Sequence, residues 1–361
     1  MYVYDRKLSD ARSLLEEQPF TSRTVGRNSD YPDQGVGGFL RRVRTNSTSM
    51  WAHEGLGRGP TALPPKFRWG DKTFSTNMQS SFDKAIHAVR NDASFSHLPD
   101  VRTVPIAIMA LDRNGGRPVA GQREFEMFYS GSLLKVVAMY AAYQLRVAVN
   151  DLAPTLNATV NTTDKLFQTI SNTFDKQIDE SVPRIRLAPG ITPAMKIPKY
   201  KTIFQAEKIG GVWRFKFNET GGANNVAGQL RRMIVGSHNE PAGFCIRALG
   251  YSWINGVLQA AGFLRFGFPG SEGLWLAGDY GQQKTVTIPS VNDGDVKQAA
   301  TCFDMARLFA LLHDKKLVRN TAHYATALSG NDEMLNLLKD AVDDPGAPSL
   351  LKRVPHSFVV R

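Results

Sequence analysis

The stretch "FYSGSLLKVVAMYAAYQL" (residues 128–145) decides how the rest of the chain is read. From Leu133 to Tyr143 its only polar residue is Lys135. A helix that is apolar on every side is a buried helix. A lysine inside it is desolvated, which lowers its pKa. A lysine that releases its proton readily can act as a general base. Ser132 stands three residues earlier, and positions i and i+3 are neighbours on a helix. Its hydroxyl is therefore expected beside the Lys135 amine, which is what activation of a serine nucleophile requires. The competing reading makes Ser132 a helix-capping serine and lets Lys135 snorkel to water.

The S-x-x-K spacing does not choose between them, because the chain contains it three times. Ser81–Lys84 opens an amphipathic helix in which Phe82, Ala85, Ile86 and Val89 share one face, so Lys84 is expected on the solvated side. Ser349–Lys352 lies between Pro348 and Pro355, where little regular helix fits. Only Ser132–Lys135 lies in an apolar run.

Before that run, "VPIAIMALD" (104–112) and "EFEMFYSG" (124–131) read as strands joined through the turn "RNGGRP" (113–118). They are expected to form a strand pair leading into the helix. Residues 1–75 are rich in Gly, Pro, Ser and Arg and are expected to be poorly ordered. Within 151–223, "TTDKLFQTISNTFDKQ" reads as a helix and "GGVWRFKF" as a strand, with a proline-rich loop between them. Helical patterns then dominate: "NVAGQLRRMIV", "PAGFCIRALG", "YSWINGVLQAAG", "AATCFDMARLFALLHDKK" and "NDEMLNLLKDAV". The order of helix, strands and many helices predicts an α+β fold with a large helical portion and an antiparallel sheet.

A second constellation is Ser237-His238-Asn239, in a short link between two apolar helices. S-x-N also occurs at Ser75–Asn77, Ser290–Asn292 and Ser329–Asn331, but only the link at 237 is set to be held rigidly inside a core. There the Ser237 hydroxyl could relay a proton and the Asn239 amide could bind Lys135 or a substrate. The plainer alternative is a helix boundary, with Asn239 as cap and Pro241 in the first turn.

In this order and setting, Ser132–Lys135 and Ser237–Asn239 resemble the penicillin-recognising serine hydrolases. These comprise class A-type β-lactamases and penicillin-binding D,D-peptidases, with S-x-x-K, S-D-N and K-T-G motifs. The likeness covers 76–361, with an unfamiliar segment at 151–223. It implies a β-lactamase/transpeptidase-like domain in which Ser132 is acylated and Lys135 is its base partner. Ser237 would pass a proton to the leaving nitrogen. Asn239 would hold Lys135 and the substrate amide, and the Ser132 N–H would be one oxyanion donor. No cofactor and no metal are implied. The implied substrate is a β-lactam or a peptidoglycan-type peptide. A D-alanyl-D-alanine peptidase, another serine amidase or esterase, and an inactive sensor on the same scaffold are the alternatives.

Three departures bear on that reading. His238 replaces the aspartate of the second motif. Glu272, in "PGSEGLWLAGDYG", falls at a plausible interval for a deacylation base, but the Leu-Asn that should follow is missing. K-T-G is absent where it belongs. Lys72-Thr73-Phe74 and Lys284-Thr285-Val286 come too early and lack the glycine, while "HSFVV" (356–360) reads as the opening of the strand that would carry it. The expectation is a C-terminally truncated domain with an unpaired apolar sheet edge, inactive or unstable as given.

Composition narrows the rest. The 361 residues are 42% hydrophobic, ample for a packed core. The net charge of +11 favours anionic partners. Its basic residues are scattered, however, the densest group being Arg41, Arg42 and Arg44, so nucleic acid is not an expected partner. Two cysteines, Cys245 and Cys302, make no disulfide framework, and the histidines lack metal-ligand spacing. No stretch reads as a membrane span of roughly 20 apolar residues. "MYVYDRKLSDARSLLEEQPF" is too charged for a secretory signal, although the resemblance implies a periplasmic or extracellular setting.

Overall fold

The computed structural model describes residues 76–343 apart from 94–99, 112–118, 157–159, 223–224, 266–269, 271, 282, 316 and 319–328. The segment 1–75, the Ser349–Lys352 pair and the strand expected at 356–360 lie outside the described residues. Helix α1 (Thr76–Asn91) leads to β1 (Ile106–Met109), β2 (Val119–Gln122) and β3 (Phe128–Tyr129). A 3-10 turn (Gly131–Leu134) delivers the chain into α2 (Lys135–Leu156) and α3 (Thr163–Ser181). Strands β4 (Phe204–Ile209) and β5 (Val212–Phe217) precede α4 (Val226–Ile234), α5 (Asn239–Leu249) and α6 (Tyr251–Ala260). Then come β6 (Leu274–Leu276), β7 (Ile288–Ser290), β8 (Gly294–Val296), β9 (Gln298–Ala300), α7 (Cys302–His313) and α8 (Gly330–Asp343). The fold is α+β, and every strand pair among the described residues is antiparallel.

The strand pairing differs from the sequence expectation. The partner of β1 is β2, with Ile106 opposite Gln122 and Met109 opposite Val119. "EFEMFYSG" contributes only Phe128–Tyr129 as strand, and these pair with β9 in a separate sheet of order β3-β9-β6. The proline-rich stretch expected to be loop contains single-turn helices at 183–186, 193–196 and 200–203. The prolines at 183 and 193 sit at helix starts, where a missing N–H costs nothing.

Helix α2 is the axis of the core. Every residue from Leu134 to Asn150 is buried, and α2 packs against β5, α5 and α6. The segment Gly131–Leu156 is long and apolar enough to cross a membrane by length and composition, contrary to the sequence reading. In this fold its residues from Leu134 to Asn150 are all buried inside the protein.

Polar residues inside the apolar helices serve the sheets. Asn150 donates to Phe215 O (3.0 Å) and accepts from Phe215 N–H (2.9 Å), completing the open edge of β5. Asn255 does the same for Leu276 of β6, donating at 2.7 Å and accepting at 3.0 Å. Buried backbone groups without partners are costly. Asn150→Ala is therefore expected to destabilise the fold by about 2 kcal/mol, read as a lower urea midpoint at unchanged slope.

Gly250 separates α5 from α6 with φ +79°, and a Cβ there would meet Lys196 O at 2.3 Å. No other residue fits that turn.

Candidate active site

Three segments converge where α2 begins. Strand β9 lies between β3 and β6. Beyond the paired residues, Ser130 N–H donates to Gln298 O (3.4 Å) and Ala277 N–H to Lys297 O (3.0 Å). The chain leaving β3 at Gly131 and the chain leaving β6 at Gly278 thus emerge at the same end of the sheet. The third segment is the 235–238 link between α4 and α5.

Gly131 takes φ +52°, a left-handed conformation that glycine adopts at little cost, and turns the chain from β3 into the helix. Ser132 lands in the first turn and is exposed. Lys135, one turn later, is only 2% exposed. Its Nζ donates to Asn239 Oδ1 (2.9 Å), to Ser237 Oγ (3.3 Å) and to the Ser237 carbonyl. The amine also lies 4.9 Å from the centroid of the Tyr280 ring. Burial lowers the Lys135 pKa, and no charged neighbour among the described residues offsets that effect.

The link is built for this contact. Ser237 is held at φ +52°, a conformation uncommon outside glycine. The turn presents both its carbonyl and its hydroxyl to one amine. His238, not Asn239, is the N-cap of α5, and it makes no side-chain cap bond. Asn239 occupies the first helical position and uses its amide oxygen on Lys135. Its NH2 makes no hydrogen bond among the described residues.

Ser75 and the Asn77 side chain lie outside the described residues, and the asparagines of the other two S-x-N pairs do backbone work instead. Asn292 accepts from Tyr129 N–H (2.8 Å), and Asn331 accepts from Val318 N–H (3.0 Å). Lys84 of the Ser81–Lys84 pair is exposed, as its helix face predicts.

Comparison with family models, with curated proteins and with solved structures finds no match for this chain. Its chemistry therefore rests on the geometry. Lys135, Ser237 and Asn239 are brought together by hydrogen bonds. Ser132 joins them through the backbone, its carbonyl accepting from Lys135 N–H. The Ser132 hydroxyl makes no hydrogen bond among the described residues, whereas the sequence had placed it against the amine. Catalytic hydrogen bonds commonly tighten only once substrate is bound.

Glu272 stands apart from this cluster. It is 7% exposed, and its Oε2 accepts from Gly270 N–H (2.9 Å). Burial raises its pKa, opposed by backbone hydrogen bonds and by the charges of Arg184 and Arg265. The next residue, Gly273, contacts Met127 Sδ (3.2 Å), whereas Tyr280 reaches Gly131 (3.1 Å). Glu272 thus lies toward the Met127 end of the strand, and the Ser132 end faces the loop after β6. Spacing alone had nominated it; the strand register moves it away.

That loop supplies what the sequence reading missed. Asp279 is fully buried and pairs with Arg247 Nη1 of α5 (2.5 Å). Its carboxylate also accepts from Gly281 N–H (3.1 Å). This anchors Tyr280, whose ring faces Lys135. No motif marks an Asp-Tyr-Gly turn, and only the β6–β9 pairing brings it to the site.

Proposed function

We propose that this protein is a serine acyl-transfer enzyme of the penicillin-recognising type, acylated at Ser132. The observation that carries the reading is a buried lysine in the first turn of a core helix. Its amine is held by the hydroxyl and carbonyl of Ser237 and by the Asn239 amide, from a strained link between two other helices. The expected substrate is a β-lactam or a peptide amide of similar shape.

Acylation would proceed as follows. Ser132 Oγ bonds to the amide carbon, its proton passes to neutral Lys135 Nζ, and the carbonyl electron pair moves to oxygen. Collapse breaks the C–N bond, and the proton travels from Lys135 through Ser237 Oγ to the leaving nitrogen. The free Asn239 NH2 is available to a substrate carbonyl.

One feature favours a penicillin-binding mode over rapid β-lactam hydrolysis. Among the described residues no carboxylate hydrogen-bonds to Ser132, Lys135, Ser237 or Asn239, and Asp279 is occupied by Arg247. An acyl-enzyme with no carboxylate to activate water would persist. Lys135, Ser237 and Asn239 are held together without a K-T-G motif, so, in place of the inactivity expected from the sequence, incubation of the full chain with a fluorescent penicillin is expected to give a stable adduct, mapped to Ser132 by mass spectrometry, with slow nitrocefin turnover. Absence of any adduct would sink the reading in favour of a non-catalytic domain.

The pH dependence follows from Lys135. The active form is the neutral amine, and burial lowers its folded pKa. Labelling is expected to rise with pH through that pKa, at lower pH than a solvated lysine would require. A profile that rises only in the range of an ordinary lysine contradicts this.

A further inference from the structure

Tyr280 touches both halves of the machinery. Its ring lies 4.9 Å from Lys135 Nζ, within cation–π range. Its hydroxyl donates to the Gly131 carbonyl at 3.1 Å. That carbonyl belongs to the same peptide group as the Ser132 N–H. No peptide among the described residues is cis, so the C=O and N–H of this group point in opposite directions. Whatever fixes the Gly131 oxygen therefore fixes the direction of the Ser132 N–H.

Two further observations give this weight. The Ser132 N–H has no acceptor among the described residues, as befits the first turn of a helix. Gly131 sits at φ +52°, where glycine's two hands of φ are nearly equal in energy, so the peptide is not held by its own preference. An external hydrogen bond is needed to select one orientation.

Tyr280 is itself immobilised. Asp279 is clamped by Arg247, and its N–H reaches Tyr251 Oη (3.3 Å). The Gln298 side chain approaches the phenol oxygen. Burial raises the phenol pKa, which keeps Tyr280 a neutral donor and excludes it as a base at neutral pH.

We infer that Tyr280 is a positioning residue that orients the Gly131–Ser132 peptide as an anion-binding donor and caps the Lys135 amine, with Asp279–Arg247 as its anchor. The oxyanion role rests on the acyl-transfer reading above; the orientation of the peptide does not. Polarisation of the carbonyl by the phenol also strengthens the N–H on the other side of the peptide.

The test compares wild type, Tyr280→Phe and Tyr280→Leu as full chains, each checked by near-UV circular dichroism. Tyr280→Phe keeps the ring but loses the hydroxyl. It is expected to slow the saturating rate of acylation by a fluorescent penicillin by about 10- to 100-fold. The half-saturating concentration and the labelling pKa should stay unchanged. Tyr280→Leu is expected to add a further fall in the Lys135 pKa of about half a unit, from loss of the π face, read by pH-dependent acetic anhydride labelling and mass spectrometry. Wild-type acylation rates in Tyr280→Phe would overturn the inference.

If wild type itself is not acylated, the acyl-transfer reading falls, and the positioning claim is judged separately. The Ser132 amide nitrogen resonance and its hydrogen-exchange rate should shift in Tyr280→Phe. An unchanged Ser132 amide would refute the positioning role.

Discussion

Lys135→Met is expected to abolish acylation of Ser132 while leaving the fold at least as stable as wild type. The two halves of that outcome come from one cause. Lys135 is 2% exposed and meets no opposing charge among the described residues, so the folded state bears the cost of desolvating its amine. Methionine has similar length and no charge, and the core accepts it readily. The partners it would lose, Ser237 and Asn239, are themselves exposed and can turn to water. Without the amine, the Ser132 hydroxyl has no base, and the acylation rate should fall on the order of 1,000-fold or more. Lys135→Arg is not expected to restore it, because guanidinium keeps its proton. The measurement pairs penicillin adduct formation by mass spectrometry with a thermal melt. A methionine variant that acylates at the wild-type rate would remove Lys135 from the mechanism. A methionine variant that melts well below wild type would make the lysine structural instead.

The sequence showed this residue for a physical reason that spacing lacks. S-x-x-K occurs three times, and only an unbroken apolar run could reveal that one of the lysines is buried. The Ser237–Asn239 link was legible as a connection between two helices that pack in the core, but its three residues are exposed rather than held inside the core as the sequence suggested. What was not legible depends on non-local pairing. The strands at 106–109 and 128–129 are both short and apolar, and nothing local states that the first pairs with Val119–Gln122 while the second pairs with β9. Glu272 was nominated by its interval after Asn239, yet its position is set by the register of β6 against β9. Tyr280 enters the site by that same register. Local rules identified the helices and two of their polar residues; sheet pairing chose which loop faces them.

Asp304→Ala is expected to cost the fold about 3–5 kcal/mol, the cost of breaking a buried ion pair. Asp304 is fully buried, and Arg265 and Arg307 are 5% and 1% exposed. Its carboxylate takes two N–H groups from Arg265, at 2.9 and 2.5 Å, and one hydroxyl from Thr301 at 2.7 Å. Arg307 Nη1 lies at 3.5 Å. Two guanidinium groups thus share one buried anion, and burial lowers the Arg307 pKa to about 10. Removing the anion leaves both cations facing each other in the core. Arg307 keeps its bonds to the carbonyls of Gly262 (2.8 Å) and Ala261 (3.3 Å), which engage Nη1 and Nη2 without neutralising its charge. The Thr301 hydroxyl would also lose its acceptor, Asp304 Oδ2, although it can still cap α7 by accepting from the backbone N–H at 304 (3.2 Å). Against a total stability of about 5–15 kcal/mol, the loss should empty much of the folded population near body temperature. Urea denaturation at two ionic strengths checks it: a buried cluster is screened little by salt, so the deficit should persist at high salt. A deficit below about 1 kcal/mol would show the cluster to be no stronger than a surface pair. Asp304→Asn separates charge from geometry, because the amide keeps one acceptor but not the charge. If charge dominates, Asn is expected to lose nearly as much as Ala; if the hydrogen bonds dominate, it should recover a large share.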